Sequence, residues 1–98
     1  MEPMELLNQF MSLARDNPRV TAYHISVYVA LLYYSQGKGG VSSFTVFSRE
    51  VLPFAKLLRP GTYHRLMTEL SEYGYIGYCP SHSPILGSLV HLPKKTAP

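Results

Sequence analysis

The chain has one cysteine, no tryptophan and few charges, with Asp, Glu, Lys and Arg making up 15% of its 98 residues. A lone Cys79 leaves no intrachain disulfide framework and no Cys-based zinc cluster. The longest apolar run, Val27 to Tyr34, is eight residues, against the ~20 a membrane-spanning helix needs. No membrane partner is therefore expected. With one thiol and no charged-then-apolar leader, the chain reads as cytoplasmic. Internal repeats and low-complexity tracts are also missing. What is present is 46% hydrophobic residues, enough for a core and too many for wholesale disorder. The length fits one domain, residues 1–98. A chain this short buries only ~60–65% of its unfolded surface, so a second subunit would help stabilise it.

Chemistry-bearing constellations are equally scarce. His24, His64, His82 and His91 are scattered, and no two stand at i,i+4, so no metal or cofactor is expected. Gly37-Lys-Gly-Gly40 follows no strand and is a loop cluster, not a nucleotide fingerprint. With no nucleophile–base pair, carboxylate pair or P-loop, the chain is not expected to be an enzyme. The charge, +3 at pH 7, is unevenly placed. Residues 1–36 hold two arginines against three acids, giving −1, and residues 37–98 hold seven basic groups against three acids, giving +4. A basic C-terminal two-thirds points to a polyanionic partner.

Periodicity predicts a helix over 3–16, with Met4, Leu7, Met11 and Ala14 at helical spacing and Leu6, Phe10 and Leu13 widening the stripe. Asn17-Pro18 stops it. A second helix, 21–36, is apolar nearly all round and should be the central one. Its tyrosines, Tyr23, Tyr28, Tyr33 and Tyr34, suit core and interface positions better than a base-stacking platform. The run Phe44-Thr-Val-Phe47 is a short β-rich stretch, closed by Ser48 as an N-cap. A helix–turn–helix then spans 48–73, where Pro53 should kink the first helix or delay its start. The turn Leu58-Arg-Pro-Gly61 leads to the second helix, Thr62 to Tyr73, whose buried stripe should be Tyr63, Leu66, Met67 and Leu70. Residues 75–79 and 88–92 read as the strands of a hairpin over 75–92, and 93–98 as a frayed tail. The expected fold is mainly α with a small β-hairpin, in the order of a winged helix-turn-helix with an extra N-terminal helix.

In such an arrangement the second helix of the pair can enter the major groove, and the hairpin lies beside it. If the apolar stripe faces inward, Thr62, His64, Arg65, Thr68, Ser71 and Glu72 face outward, with Arg59 where the helix begins. Arg65 can pair with a guanine edge or a phosphate, and Thr62 and Thr68 can donate to phosphate. The plain alternatives are an Arg65–Glu69 pair on the helix surface and a His64 held by the scaffold.

The run Gly61-Thr-Tyr-His-Arg-Leu-Met-Thr-Glu-Leu70, followed by Tyr73-Gly-Tyr-Ile76, Tyr78, Pro80-Ser81, Pro84 and Gly87-Ser88-Leu-Val90, resembles small winged-helix proteins of bacterial mobile elements. The resemblance spans roughly Phe44 to Leu92, about half the chain. It implies sequence-specific double-stranded DNA binding by a transcriptional regulator or a mobile-element accessory factor. Thr62, His64 and Arg65 would face DNA, and the loop from Ser81 to Gly87 would be the wing. With Thr68, the DNA-facing set becomes Arg59, Thr62, His64, Arg65, Thr68, Ser81, His82 and Ser83. This sequence departs from the pattern at Thr68, where lysine is ordinary, and at the wing tip, where Ile85 and Leu86 stand in place of Arg or Lys. A second class of function fits those departures: a winged helix for protein–protein assembly, as in a replication or partition complex, with little DNA affinity. The apolar stripe of Met4 to Ala14 is expected either to pair with its counterpart in a homodimer or to fold back on its own domain.

Overall fold

The structure, a computed structural model, describes residues 2–81, 83 and 85–93. Four helices and a small antiparallel sheet follow in the order α1 (Pro3–Arg15), α2 (Ala22–Gly37), β1 (Ser43–Val46), α3 (Ser48–Ala55), α4 (Pro60–Glu72), β2 (Gly77–Cys79) and β3 (Ser88–His91). Among the described residues no helix is long and apolar enough to cross a membrane.

The centre is α2, as its all-round apolar character requires. Val27, Tyr28, Ala30, Leu31 and Leu32 are buried, and one continuous core joins them to buried residues of every other element except β2, whose half-buried Tyr78 packs against it. Ser26 on α2 donates its hydroxyl to the carbonyl of Ala55, tying the end of α3 to the central helix. The paired tyrosines divide as their positions dictate: Tyr28 is buried, and Tyr23 and Tyr33 stay exposed.

The β part is larger than a hairpin. Phe44-Thr-Val46 pairs with the strand 88–91, so the sheet has three strands in the order β1-β3-β2. Phe44 lies opposite Val90, and Tyr78 lies opposite the same residue on the other side. Alternation explains the pairing: Phe44 and Val46 on β1 and Ser88 and Val90 on β3 are buried, and their neighbours Thr45 and Leu89 face outward. The strands are shorter than residues 75–79 and 88–92. Tyr75 and Ile76 are buried in the core ahead of the ladder, because Tyr75 N–H is used to close the end of α4.

Several helix boundaries differ from those the sequence suggests. Ser48 is the first residue of α3 and Phe47 occupies the cap position, with no side-chain cap. Pro53 does not delay the start of α3. It removes one N–H in the second turn on an exposed face, and buried Val51 and Ala55 hold the helix in place. Helix α4 begins at Pro60, two residues before Thr62, because a proline in the first turn loses no hydrogen bond and presets φ. It ends in a Schellman motif: Tyr75 N–H bonds Leu70 C=O at 3.0 Å and Gly74 N–H bonds Ser71 C=O at 3.0 Å. Gly74 has φ +85°, a value that costs glycine nothing.

The first helix folds back on its own domain. Leu6, Phe10 and Ala14, at four-residue spacing, are buried. Phe10 stacks on Tyr28 with ring centroids 3.9 Å apart and meets Tyr75 edge-on at 5.2 Å. Tyr75 in turn accepts a hydrogen bond from Asn17 Nδ2 at 2.9 Å, so the residues that stop α1 also anchor it. The tail at 94–98 lies outside the described residues.

The loop between β2 and β3 returns through Gly87, which has φ +70°. A Cβ there would stand 2.9 Å from the carbonyl oxygen of Val46 and 3.1 Å from the Phe47 ring. Both the left-handed backbone and the close approach therefore require glycine. Gly87→Ala is expected to lower the unfolding free energy by about 2 kcal/mol. Urea denaturation measures it, and a change under about 0.5 kcal/mol would contradict this packing.

Candidate functional site

The site is built on α4. Tyr63, Leu66, Met67 and Leu70 are all buried to 1% exposure or less, and their spacing sets the rotation of the helix about its axis. Burying four such side chains stabilises that setting by ~1.5–3 kcal/mol each relative to exposure. The opposite flank is thereby turned outward: His64, Arg65, Thr68 and Glu72 are exposed, and Thr62 and Ser71 are half-buried. Arg59 caps the helix in an extended conformation and is exposed.

Neither of the two most informative side chains on this flank is unpartnered. The Arg65 guanidinium lies 3.1 Å from Glu69 Oε1, the i,i+4 pair. His64 Nδ1 lies 3.2 Å from the hydroxyl of Tyr78 on β2, so the helix and the sheet are joined at the surface. Thr62 and Thr68 have no hydrogen-bonded side-chain partner among the described residues.

Beside α4 lies an open groove of about 470 Å³, bounded by the start of α3 and by the loop that joins β2 to β3. Arg49, His64, Thr68, Tyr78, Ser81 and Ser83 all contribute to its walls. The loop hydroxyls also shape the loop itself. Ser81 Oγ accepts from Ser83 N–H at 3.1 Å, and Ser83 Oγ accepts from the N–H groups of Ile85 and Leu86 at 3.3 Å each. Ser81 N–H is bonded to Ser88 Oγ at 3.0 Å. His82 lies outside the described residues. Ile85 and Leu86 are exposed at 84% and 69%, so the loop tip is apolar and uncovered.

Sequence reasoning missed two groove residues. Arg49 stands in the first turn of α3 with its guanidinium 4.4 Å from the Phe47 ring centre. A basic residue next to a helix start was the available signal. Tyr78 faces the groove because β2 runs alongside α4, which only tertiary pairing decides.

The deepest wall residue is Tyr63. Its hydroxyl is buried and has no hydrogen-bond partner among the described residues. Burial also pushes its pKa well above the ordinary tyrosine value, so the group stays neutral. Among the described residues no three of His, Cys, Asp and Glu come together in a way that could hold a metal ion.

No family model matches the chain, and no curated protein or solved structure is similar enough to it to count as a match.

Because the Tyr63 hydroxyl is desolvated without compensation, Tyr63→Phe is expected to leave stability unchanged or raise it by up to about 1 kcal/mol. Thermal and urea unfolding of the two proteins test this. A loss above about 1 kcal/mol would mean that the hydroxyl has a partner in solution.

Proposed function

We propose that the chain is a sequence-specific double-stranded DNA-binding protein of the winged helix-turn-helix type, acting as a transcriptional regulator or a mobile-element accessory factor. The observation that carries the reading is the outward polar flank of α4, with Arg65, His64, Thr62 and Thr68 on one side and the fully buried stripe on the other. The element order from α2 to β3 and the strand order β1-β3-β2 support it, since a helix pair followed by a β-hairpin is the arrangement that sets one helix into a major groove. Helix α4 reads base edges, and Arg59, Arg49 and the β2–β3 loop hold phosphates. The mechanism is occupancy: no bond is made or broken, and binding blocks or organises other proteins on the same DNA.

A second reading is an assembly module that binds protein and has little DNA affinity. The observation favouring it is exposed apolar surface, Leu58 at 97% together with the tip residues Ile85 and Leu86. Fluorescence anisotropy with a random-sequence duplex separates the two. A DNA reader with two to three phosphate-binding arginines should lose affinity with a log–log salt slope of roughly −2 to −3, and an assembly module should bind hardly at all. On a site selected from a random library, Arg65→Ala should weaken the complex by ~1–3 kcal/mol if Arg65 contacts a base.

The homodimer is also part of this proposal. Docking of α1 uses Leu6, Phe10 and Ala14 and leaves Met4 and Met11, two turns apart on one face, exposed. Two copies joined along that row would present two α4 helices to a palindromic site. Sedimentation velocity at micromolar concentration should show a dimer that Met4→Ser combined with Met11→Ser dissociates. A clean monomer in the unmodified protein removes the dimer from the proposal.

A further inference from the structure

One carboxylate oxygen at the back of the α4 flank receives two donors. Glu69 Oε1 lies 2.8 Å from His24 Nε2 and 3.1 Å from Arg65 Nη1. His24 is buried at the start of α2. Its Nδ1 accepts the backbone N–H of Thr21 at 2.9 Å. A backbone amide can only donate, so Nδ1 is an acceptor and Nε2 carries the hydrogen that goes to Glu69. The carboxylate is thus tethered from inside the protein by His24. Arg65, with its side chain 58% exposed, is held at the end it shares with Glu69, one turn towards the C-terminus of α4.

We propose that Glu69, anchored by His24, is a positioning residue that restrains Arg65 from indiscriminate phosphate contact. This rests on the DNA-binding reading above and concerns the regulation of the same surface. Magnitudes decide the direction of the effect. An exposed i,i+4 ion pair is worth roughly a factor of two in an equilibrium. That is enough to compete with a single phosphate, a contact that is weak and screened. A bidentate guanine contact is worth roughly fivefold to a hundredfold, and overcomes the restraint. Breaking the pair costs the same in either case, so a phosphate contact leaves Arg65 largely on Glu69 and a guanine contact withdraws it at that cost.

The experiment is a double-mutant cycle on a random-sequence 20-base-pair duplex, read by anisotropy across a potassium chloride series. Glu69→Gln removes the charge and keeps an amide oxygen to accept from His24, so the fold is retained. It should bind the random duplex at least twofold more tightly, with a log–log salt slope steeper by up to about 0.9, the value for one more phosphate contact. In an Arg65→Ala background the same substitution should change nothing. Glu69→Asp, which keeps the charge and withdraws it from Arg65, should give a gain of the same sign. Equal gains with and without Arg65 would overturn the proposal, since Glu69 would then act only as a general negative charge. No gain in Glu69→Gln, in a protein whose unmodified form binds DNA with a clear salt slope, would overturn it and leave the DNA-binding reading standing. An unmodified protein with no salt-dependent DNA binding would remove both.

Discussion

The rotation of α4 about its own axis is fixed by four side chains, Tyr63, Leu66, Met67 and Leu70, packed into the core around α2. Everything proposed for the surface depends on that setting. Because side chains three and four apart share a face, burying this stripe leaves His64, Arg65 and Thr68 no inward alternative. The setting is paid for locally, by an apolar helix at the centre that packs against α1, α3 and α4. It is trimmed at both ends, by Pro60 in the first turn and by the Schellman motif at Gly74.

The surrounding elements hold that rod at a fixed place. Helix α1 is locked through Phe10, which meets Tyr28 and Tyr75, and Tyr75 follows directly from the turn that ends α4. The sheet is fastened to the start of α3 where Gly87 passes under the Val46 carbonyl and the Phe47 ring. His64 and Tyr78 then join helix to sheet at the surface. The groove between them is consequently walled by rigid elements on two sides and by a loop on the third, whose serine hydroxyls brace its own backbone.

Polar groups at the site serve structure and surface chemistry together. Glu69 links the cap region of α2, through His24, to the exposed guanidinium of Arg65. The Tyr63 hydroxyl is the contrary case, a buried donor with no partner among the described residues, carried by a ring that fills the core beneath the groove. An exposed apolar loop tip stands beside these polar groups, which is why the protein-assembly alternative has a physical basis of its own.

Much of the fold was legible in local pattern. The stripe on α4, the central character of α2, the Gly74 stop and the hairpin strands all follow from spacing and from residues with few conformational choices. The Arg65–Glu69 pair was legible for the same reason, since i and i+4 meet on any helix. Pairing across long separations was not. That Phe44 faces Val90, that Leu6, Phe10 and Ala14 rather than Met4 and Met11 dock α1, and that His24 reaches Glu69 across 45 residues required the assembled chain. Sequence by itself determined which helices form and which face of α4 is apolar, because those properties arise within a few residues. Only the tertiary structure decided which of several apolar rows is buried and which polar groups find one another, because that choice depends on shapes brought together from distant parts of the chain.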